Sequence, residues 1–140
     1  MTLTIIEKDV LDKAVSLHGH LGPFLVLGLK MGLKAGSIIG MPNSCEVFTV
    51  MRKPYVCAVD GLRIVVGENI ILHEGGGLSA RFSNGRGSIV ISVKKNLLEK
   101  YAKTPWDKCE ESARLIMGAA DEVLFEPCGF ETLDYLNNIF

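Results

Sequence analysis

HGHLGPFLVLGLKMG, residues 18 to 32, holds two of the chain's three histidines. His18 and His20 stand as His-x-His around a Gly-Pro turn, just before an almost unbroken apolar run. Two imidazoles in one turn can serve a metal ion or an acidic ligand, or they can simply be polar residues finishing a turn. The third, His73, precedes Glu74-Gly75-Gly76-Gly77 and reads as an exposed residue at a strand end. Cys45, Cys57, Cys109 and Cys128 form no Cys-x-x-Cys pair. They read as reduced thiols of a cytoplasmic protein, each by default a small core residue. None has the local signature of a thiol enzyme.

Other chemistries are poorly supported. Fifteen basic residues nearly balance sixteen acidic ones, so bulk charge makes no case for nucleic acid or anionic membrane. Trp106 and Tyr101 are too few for a base-stacking surface. Neither Glu74-Gly75-Gly76-Gly77 nor Asn84-Gly85-Arg86-Gly87 has the spacing and Lys-Ser/Thr ending of a phosphate loop. The first residues, MTLTIIEKDVLDK, lack the pattern of a secretory signal. Residues 23–41 match a bilayer in length, but Lys30 and Lys34 interrupt the run. Each centrally placed lysine would cost a spanning helix about 2.5–3.5 kcal/mol, so a buried helix of a soluble protein is expected.

The elements that must position the histidines follow from periodicity. At 140 residues, 48% hydrophobic and 22% charged, the chain suits a single globular domain over 1–140. EKDVLDKAVSL, residues 7–17, has helical spacing, and Gly19 and Gly22 end it. Pro23 suits the first turn of a second helix. That helix carries Gly28, Gly32, Gly36 and Gly40, each costing roughly 1 kcal/mol against alanine. A glycine face predicts close approach by another element, with a partner inside the chain favoured over a symmetry mate. EVFTVM and YVCAV read as β-rich runs, and Asp60 as a helix N-cap before LRIVV, which could equally continue as strand. NIILH, LSARFS and SIVISV read as strands, the last two joined by an Asn84-Gly85 hairpin. KKNLLEKYAK reads as helix, and Thr104-Pro105 as N-cap and N1 of another, PWDKCEESARLIM, ending at Gly118. Residues 121–125 form one further turn, and GFETLDYLNNIF is an amphipathic tail. The order implies an α+β fold: two N-terminal helices on a largely antiparallel or mixed sheet, with C-terminal helices.

HGHLGPFLVLG, then CAVDG at residues 57–61, then ADEVLFE at residues 120–126, resembles the FmdE family. These are relatives of the FmdE component of formylmethanofuran dehydrogenase, from methanogen one-carbon metabolism. The resemblance covers essentially the whole chain in order. It implies an α+β fold likened to a domain of glyceraldehyde-3-phosphate dehydrogenase, and a homodimer. It also implies a metal site, with zinc the expected ion, held by His18, His20 and Cys57, and Asp60 as an outer partner. Many relatives have cysteine where this chain has Gly22, although a second subgroup has glycine. The stretch GLRIVVGENIILHEGG is shorter than its counterpart and lacks that segment's cysteine, for which His73 or Glu68 would have to substitute. No counterpart of the C-terminal zinc finger of larger relatives follows.

Two functions from different classes are therefore expected. One is a metal- or ligand-binding accessory protein, with a small anionic ligand near the His18–His20 turn and the second helix's N-terminus. The other is a dimeric structural subunit without metal or chemistry. Three protein ligands would leave zinc an open position, and so a loosely held ion.

Overall fold

In the computed structural model, residues 2–132 are described. Helix α1, Lys8–His18, ends at Gly19, whose φ of 103° lies in the left-handed region. Gly19 donates its N–H to the Val15 carbonyl at 2.7 Å and so turns the chain away. Helix α2, Pro23–Ile39, opens with proline at its first position, as expected. Strand β1, Ser44–Thr49, leads through a 3-10 turn, Tyr55–Cys57, into helix α3, Ala58–Val66. Strands β2 (Ile70–Glu74), β3 (Leu78–Asn84) and β4 (Gly87–Ser92) follow. Helix α4 (Lys95–Ala102), a 3-10 turn (Trp106–Lys108), helix α5 (Cys109–Gly118), the short α6 (Asp121–Leu124) and strand β5 (Gly129–Thr132) complete the order. Of the amphipathic tail, residues 133–140 lie outside the described residues.

The chain is α+β, and its sheet is mixed, in the order β2-β1-β3-β4-β5. β1 and β2 run parallel, joined by the α3 crossover; the other neighbours are antiparallel. The Glu74-Gly75-Gly76-Gly77 connection passes across the end of β1. There Gly75 donates to the Thr49 carbonyl at 2.9 Å, and a Cβ on it would sit 3.3 Å from the Phe48 carbonyl carbon. The Asn84-Gly85 hairpin forms as expected: the Asn84 side-chain oxygen accepts from the amides of Arg86 and Gly87.

One face of the sheet is covered by helices. Cys45, Val47, Leu78, Ala80, Phe82, Ile89 and Ile91 are buried in alternation with outward residues such as Glu46, Arg81 and Val90. α2 is the central helix, packed on α3, α5 and the inner face of β3 and β4. It buries even Lys30, whose ammonium donates to the Ala119 carbonyl at 2.9 Å and ties α2 to the end of α5. Burial pushes the Lys30 pKa down, and the Asp121 charge opposes that shift. Lys34 pairs with buried Asp121 at 3.1 Å, and the same carboxylate accepts from the Thr4 amide and hydroxyl. The lysines that interrupt the apolar run thus bind the layers together. Among the described residues, no helix is long and apolar enough to cross a membrane.

Two local expectations are corrected. YVCAV is no strand; it falls in the 3-10 turn and the start of α3, while of the two readings of LRIVV the helical one holds. Asp60 is accordingly the third residue of a helix, not its N-cap. β-branched residues favour strands only weakly, and tertiary contact overrides them here. Ala58, Val59, Gly61 and Leu62 form the buried face, a helical spacing, and they press on α2. The second correction concerns Thr104-Pro105. Pro105 is extended, and a 3-10 turn intervenes before α5 begins at Cys109.

The glycine face works through α3. A Cβ on Gly28 would run into the Ala58 carbonyl, and one on Gly32 would lie 2.8 Å from the Val65 Cβ. From the other side, a Cβ on Gly61 would meet the Leu25 carbonyl and come within 2.7 Å of the Leu29 amide nitrogen. The contact lies within the chain. Gly36 is not crowded, its nearest neighbour being the Pro42 Cδ at 3.8 Å, and Gly40 is the turn that ends α2, with φ of 87°. Two of the four glycines therefore serve the close approach.

Candidate metal centre

The α2–α3 crossing decides where Asp60 lies. With Gly28 and Gly61 bringing the helices together, the first turn of α3 stands beside the end of α1. The Asp60 Oδ2 is 2.8 Å from the Nδ1 of His18, the last residue of α1. A carboxylate can only accept, so Nδ1 carries a proton, and in the neutral ring Nε2 keeps its lone pair. The other carboxylate oxygen accepts from the Arg63 guanidinium at 2.8 Å, one helical turn along, which holds the carboxylate in place. His18 Nε2 is buried and has no hydrogen-bond partner in the protein. A buried, unpaired imidazole nitrogen is costly unless something binds it.

His18 lines a cavity of about 40 Å³, room for one small ion or water. His20, Cys57 and Cys109 line it too, with Pro54, Tyr101, Thr104 and residues 22–25 of the α2 N-terminus. Among the described residues, no carboxylate, lysine or arginine belongs to this wall. The His20 ring lies between that of His18, at 4.8 Å, and that of Trp106, at 4.6 Å. A Cβ at position 22 would sit 3.2 Å from His20 Nε2, so glycine there leaves the imidazole its room.

The surroundings disfavour charge on His20 and Cys57. Burial pushes the His20 pKa down, and His18 and Lys53 add to the effect. Burial pushes the Cys57 thiol up; Lys53 opposes this, while Asp60 and Cys109 reinforce it. Lys53 belongs to a neighbouring cleft of about 270 Å³ that shares Pro54 and is also lined by Arg52, Tyr55, Glu99 and Lys103.

His18, His20 and Cys57 are therefore neighbours in space, and Asp60 stands behind His18. They line one cavity without forming a ready cluster: among the described residues, no three His, Cys, Asp or Glu side chains are grouped to hold a metal ion. His73 and Glu68 do not join them. His73 pairs with Glu46 across to β1 and stacks on Phe48, and exposed Glu68 pairs with Arg63. Sequence reasoning missed Cys109, Trp106 and Lys53, because nothing local links α5 or the loop after β1 to the histidine turn.

The family described as "FmdE, Molybdenum formylmethanofuran dehydrogenase operon" matches residues 17–126. The chain belongs to the FmdE family. The matched span begins one residue before His18 and takes in the histidine turn, Cys57, Asp60 and Cys109. A search of curated proteins finds none that matches. Within this FmdE protein, the cavity unites its three most sequence-distant contributors: the end of α1, the turn before α3 and the start of α5.

Proposed function

We propose that this FmdE-family protein is a cytoplasmic, homodimeric accessory protein that binds a metal ion, zinc being the best match, through His18, His20 and Cys57. The observation that carries this reading is the buried, unpartnered His18 Nε2 in the wall of a cavity shared with the other two donors. Imidazole and thiol without carboxylate is a borderline-to-soft donor set, suited to zinc and ill-suited to magnesium or calcium. Asp60 serves as the outer partner that fixes the His18 tautomer. The donors line the cavity apart from one another, so binding draws them together. When bound, such an ion polarises or fixes whatever it coordinates, and the first turn of α2 in the cavity wall favours negative charge there, thiolate or small anion.

Zinc loading of the full-length chain, exhaustive dialysis and elemental analysis test the proposal. About one ion per chain is expected, and its loss in His18→Ala and in Cys57→Ala. A wild-type chain retaining no zinc above the buffer blank would leave the metal-free structural subunit as the function.

A further inference from the structure

Four nitrogen and sulfur side chains line the histidine cavity, one more than the His-x-His and Cys57 motifs supply. The fourth is Cys109, first residue of α5. We infer that Cys109 is a protein ligand of this centre, which makes it a closed His2Cys2 site rather than a three-ligand site with an open position. The inference rests on the metal-binding reading above and adds to it a residue and a coordination type.

Three observations support it independently of Cys57. Among the described residues the cavity wall offers no carboxylate, lysine or arginine, so the polar groups besides the four donors are those of Tyr101, Thr104 and the backbone. Cys109 is free and half-buried, and among the described residues its Sγ makes one long contact, to the Pro105 carbonyl at 3.6 Å, easily exchanged for a stronger partner. The 3-10 turn just before it touches the histidines: the ring of Trp106, itself largely exposed, lies 4.6 Å from that of His20. The start of α5 thus places Cys109 in the wall of the same cavity of about 40 Å³ as His18; no three donors are grouped there among the described residues, so binding would draw them together. Thiolates are favoured at a helix N-terminus, and zinc with two imidazoles and two thiolates is coordinatively saturated. Such a centre binds and organises without activating a water, which agrees with an accessory role.

Zinc-edge X-ray absorption of the loaded wild-type protein counts the sulfurs directly. Two sulfur neighbours near about 2.3 Å and two nitrogens near about 2.0 Å are expected. Cobalt(II) titration of the full-length chain gives the assignment. Cys109→Ala should lose about half of the near-ultraviolet sulfur-to-cobalt absorption, as should Cys57→Ala, while Cys128→Ala keeps all of it. Zinc affinity of Cys109→Ala should fall by more than the roughly tenfold to hundredfold that loss of an outer partner costs. Cys109→Ser, checked by circular dichroism, repeats the measurement with a near-isosteric side chain. A single sulfur neighbour, with full absorption and affinity in Cys109→Ala, overturns the role of Cys109 and leaves the metal-binding reading standing. No uptake of either ion by wild-type protein overturns both.

Discussion

His18 and Asp60, forty-two positions apart in the chain, meet through Nδ1 and Oδ2 at 2.8 Å. The contact spans two helices and leaves the far nitrogen of the imidazole buried and unpaired. It is what a carboxylate behind a ligating histidine provides: a fixed tautomer and a fixed ring.

Asp60→Asn should therefore weaken zinc binding by roughly tenfold to hundredfold without displacing any donor from the cavity. Competition with a chromophoric chelator measures this. Asp60 also accepts from Arg63, so a thermal melt of the same variant should accompany the titration. Unchanged affinity in a folded variant would separate Asp60 from the site.

The glycines of α2 should respond in opposite directions. Gly28→Ala forces a methyl group into the Ala58 carbonyl, and overpacking of this kind costs about 1–3 kcal/mol. Gly36→Ala meets only ordinary contact and should gain roughly 1 kcal/mol of helix propensity. Denaturant midpoints of the two variants check the contrast. If Gly28→Ala is stabilising, α2 and α3 do not approach closely. Because this seam lies inside the chain, neither variant should change the sedimentation coefficient of a folded sample.

Asp121 should prove structurally demanding. It is 1% exposed, pairs with Lys34, and accepts from Thr4. Replacing it with alanine leaves the largely buried Lys34 ammonium without this partner, a loss of about 3–5 kcal/mol for a broken buried pair. The N-terminal segment should also loosen, read as faster hydrogen exchange at the Thr4 amide. Retained protection there would show that the segment is held by other contacts.

Cys45 should resist thiol reagents and respond to alkali. Burial, with a contribution from Glu46, pushes its thiol up to about 12. A raised folded-state pKa means stability present below the unfolded value, near about 8.5, and lost as pH rises from there towards about 12, because the unfolded thiol ionises first. Cys45→Ala should therefore show a shallower alkaline fall in melting temperature than wild type. Rapid labelling of Cys45 in the native protein at about pH 8, below that unfolded value, would contradict its placement.

Several features were legible from the residues alone. The His-x-His turn between two helices follows from Gly19, Gly22 and Pro23, the hairpin from Asn84-Gly85, and the family from motifs kept in order. These signals act over a few residues through backbone conformation, so they survive reading one segment at a time. Helix was legible only as one of two readings of LRIVV and not at all for YVCAV, because β-branched side chains favour strands only weakly and the contact with α2 outweighs them. Nor could local pattern place Cys109 and Trp106 beside the histidines. That proximity comes from packing α3 and α5 on α2, and close approach at Gly28 and Gly61 is a property of paired surfaces rather than of either sequence segment. The ligand-bearing turn was thus written locally, while the company it keeps was decided by tertiary packing.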